Sequence, residues 1–303
     1  MHHIEVERRM AEKDIAAIAN LLHIAADADG HPPLGEHKWL DLVHGGRSGF
    51  SGFVARDDHR RVVGYAHLSR GSANWGLEVV VHPSYREPDD PIGTDLVRAA
   101  LAEVAAEGGG HVHLWVAKPT PAHDAVAHAN GLTQGRELLQ MRRKLPVEGM
   151  ASTIGVRAFR PGEDEADWLE VNNRAFGGHP EQGAWDLETI KLRESEPWFD
   201  PQGFLVHQIG GRIAGSCWTK VHADEPPIGE IYVISVDPDF QGRGLGKELV
   251  LAGLEHLAGK DIETGMLYVD AANVGAVALY EKLGFEVDHV DRAYVGDVPA
   301  APS

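Results

Sequence analysis

The feature that most constrains the fold is an internal repeat. Leu77-Glu-Val-Val-Val81-His82-Pro83 followed by Ile92-Gly93-Thr-Asp-Leu-Val97 echoes Tyr232-Val-Ile-Ser-Val236-Asp237-Pro238 followed by Leu245-Gly246-Lys-Glu-Leu-Val250. Pro83 and Pro238 are 155 positions apart, and Gly93 and Gly246, like Gly131 and Gly284, are 153 apart. A nearly constant offset across a strand-like run, a helix-like run and a later glycine marks a duplicated unit. The 303 residues therefore divide into two α/β domains of about 150 residues each.

Each copy reads as helices, three strands, a long helix, a strand, another helix and closing strands, a mixed central sheet flanked by helices. In the second copy the periodicity predicts strands near 154–159, 204–209, 212–221, 229–236, 265–270 and 285–290, and helices near 164–175, 184–194, 244–258 and 273–283. The stretch 144–153, with Pro146 and Gly149, is the expected linker, giving domains 1–146 and 152–303.

In the second copy the β-branched run Ile231 to Val236 leads into Gln241-Gly242-Arg243-Gly244-Leu245-Gly246 and a helix. The first turn of a helix leaves backbone N–H groups without partners, and glycines let the chain close around an anion that accepts them. Arg243 adds positive charge. The loop lacks the Lys-Ser/Thr of a nucleotide P-loop and the spacing of the dinucleotide fingerprint, so it reads as a pyrophosphate site of another kind.

Gln241-Gly-Arg-Gly-Leu-Gly246 after a strand resembles the Gln/Arg-x-x-Gly-x-Gly/Ala loop of the acyl-CoA N-acyltransferases of the GNAT superfamily. Asn273-Val-Gly-Ala-Val-Ala-Leu-Tyr280-Glu-Lys-Leu-Gly284-Phe285 resembles the helix that in this superfamily runs along the pantetheine. The resemblance covers both halves and implies two tandem GNAT domains with acetyl-CoA as co-substrate. It assigns donor contacts to the backbone of Ile234, Ser235 and Val236, to Gln241, Gly242, Arg243, Gly244, Leu245, Gly246 and Lys247, and to Asn273, Val274, Gly275, Ala276, Val277 and Ala278. Glu230 at the start of the strand is the expected general base, and Tyr280, two turns after Asn273 and on the same helix face, the expected acid for the departing thiolate. No serine or cysteine stands with a base to suggest a covalent acyl-enzyme.

The first copy departs from the second where chemistry would occur. Two extra residues separate Pro83 from Gly93, and Ser84 to Pro91 has lost the glycines and gained Glu87, Asp89 and Asp90. These acids would repel a pyrophosphate. Trp75 stands opposite Glu230, Trp115 opposite Tyr268, Thr120 opposite Asn273 and Ala127 opposite Tyr280. The first domain is expected to be non-catalytic, with Val79, Val80 and Val81 as the remnant of a CoA-binding edge.

Asn172 to Trp185, Trp198 to Pro201, Gly215 to His222 and Gly229 to Val233 are similar to one GNAT family, whose members acetylate the cysteinyl amine of a cysteinyl-glucosaminyl-inositol conjugate. That likeness implies a hydroxyl-rich small-molecule substrate, contacted by Glu36, Glu181, Lys220, Glu230 and Tyr268. Another amine, such as an aminoglycoside or a protein N-terminus, and a non-catalytic acyl-CoA sensor are the alternatives.

The formal charge of −18 argues against nucleic acid and suits a cationic amine. No apolar run approaches the roughly 18 residues of a membrane span, and Met1-His2-His3-Ile4-Glu5 lacks a signal peptide's features, so a cytoplasmic protein with no membrane partner is expected. The single cysteine, Cys217, lies in an apolar run and reads as a buried thiol, and the 18 histidines show no ligand spacing, so no metal is expected. A monomer is expected, because duplicated halves can pack as two subunits would.

Overall fold

The computed structural model describes residues 2–43, 49–71, 74–86, 90–177, 185–223 and 226–302, without the side chains of Glu36, His37 and Leu40. The first half holds β1 (His3–Glu7), α1 (Glu12–Asp29), α2 (Glu36–Val43), β2 (Phe50–Arg56), β3 (Val62–Arg70), β4 (Trp75–Val81), α3 (Ile92–Ala106), β5 (Gly110–Ala117), α4 (Pro121–Ala129) and β6 (Thr133–Lys144). The second holds β7 (Arg157–Ala158), α5 (Glu165–Ala175), α6 (Leu187–Glu194), β8 (Phe204–Ile209), β9 (Arg212–His222), β10 (Ile228–Val236), α7 (Leu245–Ala258), β11 (Thr264–Asp270), α8 (Val274–Lys282) and β12 (Glu286–Val298). The predicted elements of the second copy are all present, with β7 shorter and β12 longer than periodicity suggested. Among the described residues no helix is long and apolar enough to cross a membrane.

Two compact units emerge, and they differ from the expected domains 1–146 and 152–303. The first is Met1–Glu137 with Val290–Ser303, and the second is Leu138–His289. In the first unit β1, β2, β3, β4 and β5 pair in sequence, and β5 pairs with residues 291–298 of β12. In the second unit β7 to β11 pair in sequence, and β11 pairs with residues 138–144 of β6. Each sheet is thus closed by a strand from the other copy. Periodicity predicts closing strands for each copy, but it does not say which edge a strand will find.

All these pairings are antiparallel except β4 with β5 and β10 with β11. A parallel pair needs a crossover, supplied here by α3 and α7. In the second unit α7 packs Leu249, Val250 and Leu254 with Cys217, Ile231, Leu267 and Val269, and Tyr280 and Leu283 join the same core. A separate core holds Trp168, Ile190, Phe204, Trp218 and Val233, with Trp185, Trp198, Phe199 and Tyr232 against it. Phe204 and Trp218 stack with ring centroids 4.3 Å apart. The first unit repeats the plan, with Leu96, Val97 and Ala100 of α3 packed with Leu77, Leu114 and Tyr294. The segment 145–156 is bound to α7, since Ser152 donates its N–H to Glu255 and Thr153 donates N–H and hydroxyl to Glu248.

Candidate active site

The site begins where β10 leaves β11. Their parallel register runs from Ile228↔Thr264 to Ile231↔Leu267 and stops, although β10 continues to Val236 and β11 to Asp270. On the other side β10 stays with β9 through Val236↔Gly215, but the register shifts between Ile231 and Val233. The extra residue at Tyr232 is a bulge, which bends the strand and swings its end away from β11. The backbone edge of residues 232–236 is left outside the β10–β11 ladder. In the first unit β4 and β5 part at Glu78↔Trp115, but β3 and β4 pair without a shift, so the bulge belongs to the second copy alone.

Ile234 and Val236 lie half-buried against the α7 core. Ser235 is buried with its hydroxyl 3.0 Å from that of Ser216, which accepts from Trp168 Nε1 at 2.8 Å. The Ser235 side chain is engaged in the core, so only its backbone can serve a ligand.

Beyond Val236 the chain turns on Asp237, whose carboxylate accepts the Asp239 N–H at 2.8 Å and Arg174 Nη1 at 2.9 Å. Arg174 also reaches Asp239, at 3.0 Å, and Arg212 approaches both acids. The Arg174 hydrogen bond and charge, aided by Arg212, hold the Asp239 carboxyl below its ordinary range. Gln241 to Gly244 follow on the surface. Gly242 and Gly244 take φ of +76° and +80°, with open space where a Cβ would stand, so backbone conformation alone demands glycine there. Gly244 is the N-cap of α7 and no side chain caps that helix, so the N–H groups of Leu245 and Gly246 begin it without intrahelical acceptors. Arg243 lies over the Phe240 ring at 5.3 Å, and the Lys247 side chain in the first turn is exposed. These features suit an anion with several oxygens. A Cβ at Gly246 would meet Leu279 at 3.9 Å, which sets the loop beside α8.

Asn273 is spent locally, its Oδ1 accepting the Ala276 N–H at 3.1 Å as the N-cap of α8. Val274 and Gly275 are exposed, and Ala276, Val277 and Ala278 are half-buried. Tyr280 is buried two turns on, its ring 5.9 Å from that of Phe285. Burial, then the neighbouring Cys217, pushes its phenol up to about 12. Burial likewise pushes the Cys217 thiol up to about 12, so it stays a protonated core residue.

Register and alternation place Lys220, His222, Glu230 and Tyr268 on one sheet face. Glu230 is opposite Lys220 on β9 and Met266 on β11, with His222 and Tyr268 two residues along their strands. Tyr280 packs with Cys217 and Ile231, which alternate to the other face. A buried carboxylate and a buried phenol thus flank the parting of β10 from β11. Glu230 Oε2 lies 2.7 Å from His222 Nε2. Lys220 is buried, its Nζ 4.5 Å above the Trp198 ring and 5.7 Å above that of Tyr232. Tyr268 is 41% exposed, and its oxygen accepts Gln140 Nε2 at 2.7 Å. Glu36 begins α2, and Glu181 lies outside the described residues.

Sequence reading passed over Arg174, His222 and Gln140. Arg174 and Asp237 are 63 positions apart with no local pattern, and Gln140 reaches Tyr268 only through the strand exchange. His222 left a readable sign: on a strand its spacing from Lys220 puts both on one face.

In the first unit Val79 and Val81 pack on the core and Val80 is buried. Asp90 Oδ1 accepts the Ile92 N–H at 3.1 Å, so a carboxylate already stands at the start of α3. Glu87 and Asp89 lie outside the described residues. Ala127, at the position of Tyr280, is buried in the core. Trp75 is buried there too, but it packs with Leu77 on the α3 face, whereas Glu230 lies on the face turned away from α7; the extra residue at Tyr232 shifts the expected correspondence by one, and Gly76 stands where Glu230 does. Among the described residues no cluster of His, Cys, Asp and Glu is arranged to hold a metal ion.

A bulged strand that parts from its parallel neighbour and runs into an uncapped, glycine-led helix defines an acetyltransferase of the GNAT class. The Acetyltransferase (GNAT) family profile matches residues 166–285. The chain is 44% identical to a mycothiol acetyltransferase from Thermobispora bispora, covering 96% of this chain and 99% of that protein, and 41% identical to one from Acidimicrobium ferrooxidans, covering 99% and 100%. It belongs to the mycothiol acetyltransferase family. Among solved structures, a GCN5-related N-acetyltransferase from Sphaerobacter thermophilus matches with a TM-score of 0.73 at 24% identity, covering 99% of this chain and 97% of that one. A tandem GNAT protein from the clavulanic acid biosynthesis pathway matches with 0.72 at 18% identity over 100% of both chains. These two likenesses concern the fold.

Proposed function

We propose that this protein is mycothiol synthase, transferring the acetyl group of acetyl-CoA to the cysteinyl amine of cysteinyl-glucosaminyl-inositol to give mycothiol. The observation that carries the chemistry is the parting of β10 from β11 with Glu230 on one face and Tyr280 on the other. The substrate rests on the near full-length identity to mycothiol acetyltransferases.

Acetyl-CoA would supply the thioester. The N–H groups of Gly242 to Gly246, with Arg243 and Lys247, would hold its pyrophosphate, and the start of α8 from Asn273 to Ala278 would line its pantetheine arm. Glu230 takes the proton of the attacking ammonium. The backbone of Ile234 to Val236 offers donors to the oxyanion, the Val236 N–H foremost. Tyr280 remains protonated at neutral pH and gives its proton to the departing thiolate, and the second proton that the nitrogen loses as the amide forms restores the phenol. Glu36, Glu181, Lys220, Glu230 and Tyr268 would meet the polyhydroxylated acceptor. With Asp90 at its helix start and Ala127 where Tyr280 would stand, the first unit would be non-catalytic and would not hold a donor along Val79 to Val81. The reading carries with it a cytoplasmic monomer.

The test is acetyl-CoA with the purified conjugate, following free CoA and product mass, with simple amines and an aminoglycoside alongside. One acetyl group gained by the conjugate and little by the others supports the assignment; turnover of another amine alone discards the substrate and keeps the class. Binding of acetyl-CoA without turnover of any amine would indicate a sensor.

A further inference from the structure

The net chemistry proposed for this site sheds a proton. The amine arrives as an ammonium and leaves as a neutral amide, while CoA leaves as a neutral thiol; a C–N bond forms, a C–S bond breaks, and one proton must reach solvent in each turnover. A base that cannot discharge that proton is spent after one cycle.

Glu230 is poorly placed to discharge it alone. Its side chain is 10% exposed, against 27% for His222, and the two meet at 2.7 Å between Oε2 and Nε2. The imidazole stands one strand over, on the same face as Glu230 and Lys220. The cross-strand neighbours of Glu230 offer no exit: Met266 carries no transferable proton, and the Lys220 ammonium is turned over the rings of Trp198 and Tyr232. An imidazole can accept at one ring nitrogen and release from the other, which neither of those side chains can do.

The geometry points to His222 as a positioning residue that fixes the Glu230 carboxylate and carries its proton to solvent. Glu230 takes the proton from the ammonium, Nε2 receives it across the 2.7 Å contact, Nδ1 releases it, and exchange with water resets the tautomer. This rests on the reading of Glu230 as base.

The experiment compares His222→Ala, His222→Gln and Glu230→Gln in the full chain, by steady-state kinetics with acetyl-CoA and the conjugate, with and without added imidazole. Circular dichroism and acetyl-CoA binding by calorimetry confirm that each variant is folded, with His222→Asn replacing His222→Ala if the latter is not. The relay predicts that kcat of His222→Ala falls by about 10- to 100-fold, at or below the lower end for a positioned proton-transfer group, with unchanged KM for acetyl-CoA. Imidazole restores it in proportion to concentration. His222→Gln, which keeps a hydrogen-bond donor but cannot pass a proton, stays slow. Full activity in His222→Gln, or a slow His222→Ala that imidazole does not restore, overturns the relay. Unimpaired Glu230→Gln overturns the base itself, whereas a dead Glu230→Gln beside a fully active His222→Ala overturns the relay alone.

Discussion

Arg174 Nη1 donates to Asp237 Oδ2 at 2.9 Å, and this bond ties α5 to the turn that presents the glycine loop. Asp237 is 1% exposed, so its carboxylate depends on that partner and on the Asp239 N–H for what water would otherwise provide. The cation that shapes the anion loop is thus absent from the motif by which the loop is recognised. Arg174→Gln is expected to raise KM for acetyl-CoA by about tenfold, the equivalent of about 1.4 kcal/mol, and to leave kcat near its original value. Steady-state kinetics at varied acetyl-CoA checks this, and an unchanged KM would remove Arg174 from the account of the loop.

Glu230→Gln keeps the shape of the side chain and removes its basicity. The expected loss in kcat is about 10²- to 10⁴-fold, with acetyl-CoA affinity retained in a calorimetric titration.

Gly244 requires its left-handed backbone but not the space, since nothing stands within 4 Å of an added Cβ. Gly244→Ala therefore costs about 1–2 kcal/mol of local conformational energy. Gly244→Asn costs less, because asparagine tolerates that region. Thermal melts and KM for acetyl-CoA should rank wild type, Asn and Ala in that order. An Ala variant indistinguishable from wild type would show that the turn has relaxed.

Tyr280 and Cys217 give the protein an alkaline limit. Burial raises both groups to about 12, from ordinary values of 10.0 and 9.0. A raised folded value means that the neutral form is favoured in the fold, so the contribution is complete below about pH 9 and is lost as pH rises toward 12. The melting temperature should fall across that window, and less steeply in Tyr280→Phe. Tyr280→Phe should also slow turnover at pH 7, and wild-type kcat should show no loss from phenol ionisation below about pH 10.

Much of this was legible because it is local. The glycine loop, the run of β10 and the spacing of Asn273 and Tyr280 are written within about fifty consecutive residues, and the structure sets Gly246 beside Leu279 of α8. The offset between the copies set Ala127 opposite Tyr280, and Ala127 is a core residue; it also set Trp75 opposite Glu230, a match that the extra residue at Tyr232 displaces by one and that leaves Trp75 on the α3 face. Lys220, as readable for a surface lysine as for a site residue, is buried under two aromatic rings. What stayed hidden depends on which strand finds which edge. The closing strand expected of the first copy supplies residues 138–144 to the second unit, and the bulge at Tyr232 has no glycine or proline to announce it.

The exchange of closing strands also sets an order of events at birth. Residues 290–303, which complete the first unit, are made only after the whole of the second unit has been synthesised. At about 5–20 residues per second the nascent first half waits on the order of 10–30 s with the free edge of β5 unpaired, so β5 is the strand on which a chaperone would be needed during translation.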